Sequence, residues 1–505
     1  MAAALACNGN FSEAFAEDAK RPNLVLILAD DLGYGDVQCL NPDGKIATPH
    51  IDRLAAEGMV FTDAHSGSAV CTPTRYGLLT GRYAWRSRLK QSVLWGYSRP
   101  LIEPGRLTIA QLAKQSGYVT GCVGKWHLGM NLPLKGGGIA DDEGQFIKGY
   151  VQAWDVDYSG KISRGPNALG FDYYFGIDAS LDMPPFVFVE NDRFTAVPTK
   201  EKQIVRPGPA AEDFEGVKVL PTLTEKAIAF IKSHATEARG GKPLFLYFPL
   251  TAPHDPIAPT KAWRGQSRIN PYADFVMQID DTVGRVVEAL KNGGIADNTL
   301  LIVTSDNGCS PVADFATLAA KGHHPSYIFR GAKADIFEGG HRVPFIVRWP
   351  GKVEAGTTSD QLVCLTDLMA TFASIVGAKF PENAAEDSVS ILPALLGETR
   401  KPLREAIVHH SINGSFAVRQ GNWKLALCRD SGGWSAPLPG SKQSAGLPDV
   451  QLYDLAADVG ERKNLYREHP EVVERLTSLL ERYVADGRST PGAKQANTTP
   501  VRIRP

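Results

Sequence analysis

Two pairs of acidic or amide residues follow apolar segments that lie far apart in the chain. Asp30-Asp31 comes after the run from Asn23 to Ala29, and Asp306-Asn307 comes after the run from Thr299 to Thr304. Two adjacent carboxylates repel each other, and a nearby cation keeps both ionised. Their oxygens suit Ca²⁺ or Mg²⁺ better than Zn²⁺. A single such pair is more often a turn or a helix cap, but two pairs at two strand ends favour a metal site.

A cysteine stands at the start of a predicted helix, in Cys71-Thr72-Pro73-Thr74-Arg75. The proline in the first turn indicates that the helix begins here and runs through Tyr76, Leu78 and Leu79. Cys71 would then lie at the positive end of the helix dipole, where an anion is favoured. Arg75, one turn further on, could hold anionic oxygens. The alternative is a buried structural cysteine, which is the commoner role of a lone cysteine.

Three histidine and lysine positions could transfer protons or bind anions. Lys125 and His127 lie on the same side of their segment if it is extended, and either could act as a general base or a charge clamp. Taken alone, such a pair is more often a surface lysine and a packed histidine. His254 follows the apolar run from Pro243 to Phe248. It is placed either to protonate a leaving group or to brace a proline-rich turn.

The segment from Gly331 to Pro344 is the other run rich in chemistry. Lys333 is a candidate anion contact, and Gly339-Gly340 would allow the backbone to approach a ligand or to form an unusual turn. The remaining charged residues favour a structural ion-pair network: Asp335, Glu338 and Arg342.

The elements that must position these residues are apolar strands alternating with amphipathic helices. Continuous apolar runs indicate strands buried on both faces at 23–29, 243–248, 299–304 and 343–348, the last with a proline that favours an edge or a strand start. Helices are predicted at 48–54, 108–116, 222–233 and 272–292. The alternation predicts a three-layer α/β sandwich with a large mixed, mostly parallel sheet.

Composition changes near residue 400, which predicts a smaller second unit. Short strands at 406–410, 416–419 and 423–427 precede a Gly/Ser/Pro-rich loop at 429–449 and a helix from Pro470. We therefore predict a short antiparallel sheet in an α+β subdomain. The predicted parts are a leader remnant or disordered start at 1–20, a main domain at 21–395, and the C-terminal subdomain and tail at 396–505.

Overall composition excludes some partners. The 505 residues carry a net charge of −1, so nothing indicates nucleic-acid binding, and no apolar run is long enough to span a membrane. The seven cysteines form no Cys-x-x-Cys pair, which argues against structural zinc. Ala14-Phe15-Ala16 is similar to a signal-peptidase site, and we expect an exported protein, periplasmic or secreted, with part of its leader missing.

These motifs together resemble the formylglycine-dependent (type I) sulfatases of the alkaline-phosphatase superfamily, and carbohydrate sulfatases in particular. The resemblance covers about residues 21–486, with Val459 where a proline is common. It is carried, in the family's order, by Leu28–Asp36, Cys71–Arg75, Gly121–Gly129, Thr304–Gly308, Lys333–Pro344 and Leu452–Leu465.

The resemblance implies a mechanism. Cys71 would be oxidised to formylglycine (3-oxoalanine) by a separate maturation enzyme, and the aldehyde hydrate would attack sulfur. Arg75 and Lys125 would fix the hydrate, Lys125 and Lys333 would stabilise the sulfuryl oxygens, His254 would protonate the departing alcohol, and His127 would take a proton to expel sulfate. The implied Ca²⁺ ligands are Asp30, Asp31, Asp306, Asn307 and the modified Cys71.

Substrate contacts are the open part of the prediction. Candidates for contact with a sulfated saccharide are His323, His324, Trp95 and Tyr97, although packed histidines and loop-anchoring aromatics are equally common. The loops at 131–215 and 429–449 could shape its pocket.

Two other functions compete with sulfate-ester hydrolysis. One is hydrolysis of phosphate monoesters, phosphodiesters or phosphonate monoesters on the same fold. The other is sulfated-glycan binding without catalysis, against which the intact set of candidate catalytic residues argues.

Overall fold

The computed structural model describes residues 21–142, 153–399 and 401–504; the predicted leader at 1–20 lies outside them. Its strands are β1 (Asn23–Asp30), β2 (Met59–Phe61), β3 (Ala64–His65), β4 (Val119–Lys125), β5 (Tyr173–Ile177), β6 (Val189–Glu190), β7 (Arg193–Phe194), β8 (Lys200–Gln203), β9 (Pro207–Ala210), β10 (Leu244–Pro253), β11 (Thr299–Ser305), β12 (Phe345–Arg348), β13 (Thr357–Ser359), β14 (Val363–Cys364), β15 (Ile407–His410), β16 (Phe416–Gln420), β17 (Trp423–Ala426) and β18 (Gln451–Asp454).

The α-helices alternate with these strands through most of the chain. They are α1 (Pro49–Ala56), α2 (Cys71–Thr80), α3 (Ile109–Gln115), α4 (Gly216–Arg239), α5 (Pro271–Asn292), α6 (Phe315–Ala320), α7 (Glu338–His341), α8 (Leu368–Val376), α9 (Leu392–Leu395) and α10 (Pro470–Asp486). The predicted helix at 222–233 belongs to the longer α4, which begins six residues earlier than predicted and contains Pro221.

In the described part of the chain, ten strands form one mixed sheet in the order β13-β2-β12-β11-β1-β10-β4-β5-β6-β7. Its centre is parallel: β1 pairs with β10 and β11, and β4 pairs with β10 and β5. Every residue of β1 is buried, as its continuous apolar run predicts. β12 pairs antiparallel with both β11 and β2. Pro344 therefore precedes the start of an inner strand and does not mark an edge.

Helices cover both faces of this sheet. Phe372 of α8 stacks on Phe245 of β10, and Phe230 of α4 stacks on Tyr173 of β5. Gly121 pairs with both Leu246 and Tyr173, so Phe230 and Phe372 lie on opposite sides, because successive strand residues alternate between faces. The predicted three-layer α/β sandwich is confirmed. Among the described residues, no helix combines the length and apolarity needed to cross a membrane.

Within residues 401–504, four strands form the predicted antiparallel sheet in the order β15-β16-β17-β18. Helix α10 packs on it through Leu476, Leu480 and Tyr483, which are buried, while Val473 is partly exposed. Residues spaced three or four apart lie on one face of a helix and form such an apolar stripe.

Buried ion pairs connect this small sheet to the main one. Glu338 lies 3.0 Å from Arg342 and 3.1 Å from Lys424 of β17, so the predicted ion-pair network is correct for Glu338 and Arg342. It is wrong for Asp335, whose carboxylate instead accepts backbone N–H groups of Ala332 and of Trp434 and Ser435. Carboxylates satisfied by backbone donors need no cation.

His410 of β15 makes the stability of this region depend on pH. It is buried, and neither ring nitrogen has a hydrogen-bond partner among the described residues. Burial and then the charge of Lys90 lower the pKa of His410 to about 4. An unfolded histidine has a pKa of about 6.5, so the unfolded chain binds this proton first. The contribution is complete above about pH 6.5 and is lost between there and pH 4, at no more than about 1.4 kcal/mol per pH unit.

We therefore expect His410→Gln to reduce the acid sensitivity of folding. Between pH 7.5 and 5.0, urea unfolding of the unchanged protein should lose about 2 kcal/mol more than that of the variant. Equal losses in the two proteins would contradict the assignment of this proton to His410.

Candidate active site

The carboxyl ends of the central strands bring the two predicted residue pairs together. Asp30 ends β1, Asp31 follows with a positive φ of 69°, and Asp306-Asn307 follows β11. The Asp31 N–H donates to Asp306 Oδ1 at 3.2 Å, and Asn307 Nδ2 donates to Asp31 Oδ1 at 2.7 Å. A positive φ in a non-glycine residue is common where a site requires it. All four side chains are buried.

These residues fit a hard cation. Asp30 Oδ1 and Asn307 Oδ1 are buried oxygens without a hydrogen-bond partner among the described residues, and Arg75 Nη2 lies 3.6 Å from Asp30 Oδ1. The ligand atoms of Asp30, Cys71 and Asp306 lie within 4.8 Å of one another. Burial, and then the charge of Asp30, raise the pKa of Asp306 to about 6, a cost that a cation would remove. An all-oxygen donor set of this kind is suited to Ca²⁺.

Cys71 is the first residue of α2, as predicted, and it is buried. Burial raises the pKa of its thiol although Lys125 and Lys333 lie close enough to oppose this effect. An unmodified thiol here is therefore protonated and a poor nucleophile. The site supplies positive charge around this position, which stabilises oxygens of an anionic group bound next to it.

Three basic side chains converge on the acidic group. Arg75 donates from Nε and Nη2 to Asp306 Oδ2 at 3.0 and 2.7 Å, and from Nη1 to the Lys125 carbonyl at 3.0 Å. Lys125 donates to Asp30 Oδ2 at 2.7 Å, and Lys333 donates to Asp31 Oδ2 at 2.8 Å. Burial would lower the pKa of Lys333, but Asp31 and then Cys71 raise it, so its charge is retained.

His127 is oriented by a turn that could not be predicted from the sequence. Strand β4 ends at Lys125 and His127 has a φ of 56°, so the two residues are not extended neighbours. His127 Nε2 lies 2.8 Å from the Leu94 carbonyl and is therefore the protonated nitrogen. Nδ1 is buried without a partner among the described residues. Burial, and then the charge of Lys125, lower its pKa well below the usual range, which keeps this imidazole neutral.

His254 directly follows β10, as predicted. Its Nδ1 lies 2.6 Å from the carbonyl of Asp255, so Nδ1 is the donor. Nε2 lies 3.8 Å from Asp31 Oδ2. The hydroxyl of Ser180 approaches both His254 Nδ1, at 3.5 Å, and Lys125 Nζ, at 3.1 Å. One nitrogen of His254 is thus held by backbone while the other faces the acidic group.

The four predicted substrate contacts lie in different surroundings. His323 is fully buried, with Nε2 2.9 Å from Asp36 and Nδ1 accepting from the Lys45 N–H at 3.1 Å; both ring nitrogens are occupied by structural partners. Tyr97 is buried, with its hydroxyl 3.3 Å from that of Tyr158. His324 is exposed.

Trp95 is the second predicted aromatic contact. It is partly exposed and follows Leu94, whose carbonyl holds His127. The Arg206 guanidinium lies over its ring, 5.3 Å from the centroid.

Sequence reasoning missed three residues beside the candidate acid: Ser180, Asp182 and Arg206. Asp182 is paired with Arg206, and the segment from Asp178 directly follows β5. The available signal was this position after a buried strand of the parallel sheet, where ligand sites form. No motif marked it, because its residues match none of the patterns that indicate a site in the sequence.

The chain belongs to the sulfatase family. The family model described as Sulfatase matches residues 22–378, and a second model, N-sulphoglucosamine sulphohydrolase, C-terminal, matches residues 332–430. The protein is therefore a sulfatase, an enzyme that hydrolyses sulfuric esters, and the predicted family resemblance is confirmed.

Individual relatives are similar to this chain over nearly its whole length. The chain is 35% identical to an N-acetylgalactosamine-6-O-sulfatase of Bacteroides thetaiotaomicron, over 94% of this chain and 95% of the relative. It is 31% identical to human arylsulfatase A, over 91% and 87%. A solved structure titled for glycosaminoglycan metabolism by Bacteroides thetaiotaomicron superposes with a TM-score of 0.79 at 35% identity, over 92% of this chain and 99% of that one.

Proposed function

We propose that the enzyme removes sulfate from a sulfated carbohydrate, using a nucleophile made by converting Cys71 to formylglycine. The observation that carries this proposal is the position of Cys71. It begins a helix, its sulfur lies within 4.8 Å of carboxylate oxygens of Asp30 and Asp306, and Lys125 and Lys333 act on it electrostatically. A buried, protonated thiol is inert in this place, whereas an aldehyde hydrate offers two hydroxyl groups.

The saccharide class is supported by the relatives. The relative from Bacteroides thetaiotaomicron is named for sulfate at position 6 of N-acetylgalactosamine, and so is a human protein 28% identical over 92% of this chain. A 6-O-sulfated N-acetylgalactosamine is therefore the first substrate to test. The partly exposed indole of Trp95 gives this proposal a surface on which a sugar ring can stack.

The cation site supplies electrostatic stabilisation in this proposal. Asp30, Asp31, Asp306 and Asn307, together with the modified residue 71, would hold Ca²⁺, which would neutralise charge on the sulfuryl oxygens. Arg75 and Lys125 fix the nucleophile through the contacts that they already make around the acidic group. Lys333 adds a retained positive charge.

Two histidines divide the proton transfers. One hydroxyl of the hydrate attacks sulfur and releases its proton to solvent while the ester S–O bond breaks. In this proposal His254 is doubly protonated: its Nδ1–H stays on the Asp255 carbonyl, and its Nε2–H gives the proton to the leaving alcohol. His127 Nδ1 then accepts the proton of the second hydroxyl, so the C=O bond re-forms and sulfate leaves. The neutral imidazole and unpartnered Nδ1 of His127 support the role of base. Water then restores the hydrate.

The proposal implies export, through the periplasm or out of the cell, and an encounter with a formylglycine-generating maturation enzyme. The protein to test is therefore the full chain, co-produced with that enzyme and supplied with Ca²⁺, with the modification of residue 71 verified by peptide mass.

We expect this protein to release inorganic sulfate from N-acetylgalactosamine 6-sulfate, measured by ion chromatography. Cys71→Ala should abolish release, because in this mechanism residue 71 supplies the nucleophile that attacks sulfur. Turnover of aryl phosphates in preference to aryl sulfate would contradict the proposal and favour a phosphoester hydrolase. Full activity in Cys71→Ala would exclude this mechanism altogether.

A further inference from the structure

A carboxylate and a guanidinium lie beside the candidate general acid. Asp182 and Arg206 form an ion pair, and Arg206 lies over the indole of Trp95. Burial alone would raise the pKa of Asp182, but His254, Arg206 and the Ser180 hydroxyl together lower it to about 2. His254 is thus close enough to act electrostatically on an ionised Asp182. The group therefore lies on the side from which the alcohol departs.

One oxygen of this carboxylate has no donor. The Asp182 side chain is only 10% exposed, and Oδ2 accepts from Arg206. Oδ1 makes no hydrogen bond of normal geometry with residues 21–142, 153–399 and 401–504, although the Ser180 hydroxyl lies near enough to lower the pKa of this carboxyl group. A buried carboxylate oxygen without a donor is costly, and none of the roles given above to the catalytic residues uses it. A bound molecule that brings an O–H or N–H group would satisfy it.

We propose that Asp182, with Arg206 and Trp95, forms a subsite for neutral hydroxyl groups on the sugar ring that carries the sulfate ester. The inference rests on the proposed function, because it assumes that His254 faces the leaving sugar. A carboxylate accepts from a hydroxyl, a guanidinium donates to a hydroxyl oxygen, and an indole covers the apolar face of the ring. The three groups lie together in the structure.

The charges here favour a neutral ring over one with a second anion. Arg206 is already offset by ionised Asp182. The carboxyl group of Asp255 also lies near enough for Asp182 to affect its pKa, which burial raises first. A second sulfate or a uronate carboxylate would meet these acids without a net positive charge to balance it. The substrate ring is therefore a singly sulfated hexose or hexosamine with free hydroxyl groups.

The test compares substrates that differ by one hydroxyl. The probes are the methyl glycoside of N-acetylgalactosamine 6-sulfate and its 3-deoxy and 4-deoxy analogues, which share the same leaving alcohol. In the formylglycine-bearing enzyme, kcat/KM should fall about 10- to 100-fold on removal of one of these hydroxyls. Asp182→Asn should cost a similar factor with the parent sugar, but less than about 3-fold with that analogue.

Asp213→Asn is the matched control, because Asp213 is an exposed aspartate further along the same loop region. Asp213→Asn should leave every kcat/KM unchanged, including that for 4-nitrophenyl sulfate. Equal losses for Asp182→Asn on the parent and both analogues would show that Asp182 acts through His254 or through folding, and would overturn the subsite. An unchanged kcat/KM of Asp182→Asn with the parent sugar would also overturn the subsite. No sulfate release from either sugar or aryl ester would instead refute the proposed function.

Discussion

Lys424→Met is expected to destabilise the fold by about 3–5 kcal/mol, because it removes the positive centre of a buried acidic group. Lys424 Nζ is fully buried and lies 3.1 Å from Glu338 and 2.8 Å from Glu461. Burial, and then the charge of Glu338, raise the pKa of Glu461 to about 7 even with this lysine present. Without it, two carboxylates would share a site with far less compensation. Urea unfolding at pH 8 would measure the loss.

The loss of stability in Lys424→Met should be smaller when Glu461 is neutral. Adding Glu461→Gln to Lys424→Met removes one negative charge, and we expect it to recover at least half of the stability. Lys442→Met, at an exposed lysine, should change stability by less than about 0.5 kcal/mol. A loss below about 1 kcal/mol for Lys424→Met would contradict the conclusion that the charge of Lys424 stabilises these buried carboxylates.

The same network shows where sequence reasoning stops. The strand ends that carry Asp30 and Asp306 could be predicted because a continuous apolar run has one dominant interpretation, a strand buried in a parallel sheet. The buried position of Glu461 could not, since its partner Glu338 lies 123 residues away and the local sequence is polar. Long-range electrostatic partners leave no periodic signal.

The positions of several single side chains could not be predicted, for related reasons. His127 turns away from an extended course because its backbone is left-handed, which no composition rule assigns to histidine. His323 resembles a ligand-binding residue, but its partner is Asp36, 287 residues away. Asp182 went unnoticed because it lies in a loop whose position, and not its pattern, brings it beside His254. Asp30, Lys125 and Asp306 could be placed from sequence because each stands in a motif at the end of a buried strand.

His254→Ala is expected to separate substrates by the quality of their leaving group. A sugar alcohol leaves as a poor anion, so loss of its proton donor should lower kcat/KM for N-acetylgalactosamine 6-sulfate by about 10²–10⁴. 4-Nitrophenolate leaves without a proton, and its loss should stay below about 10-fold. The contact between His254 Nδ1 and the Asp255 carbonyl fixes which nitrogen faces the ester. Steady-state kinetics with both substrates would measure the difference.

His127→Gln provides the matched comparison, because His127 is assigned to the second step. Loss of His127 should lower kcat for both substrates alike, since the sulfated enzyme that must break down is the same whichever alcohol has left. Rapid mixing with 4-nitrophenyl sulfate should then show a burst of 4-nitrophenol, and intact mass should show the sulfated residue 71 accumulating. Equal impairment of both substrates by His254→Ala, or a substrate-selective His127→Gln, would reverse the two assignments. The buried Nδ1 of His127, without a partner among the described residues, and the backbone-held Nδ1 of His254 are the physical reasons to expect neither.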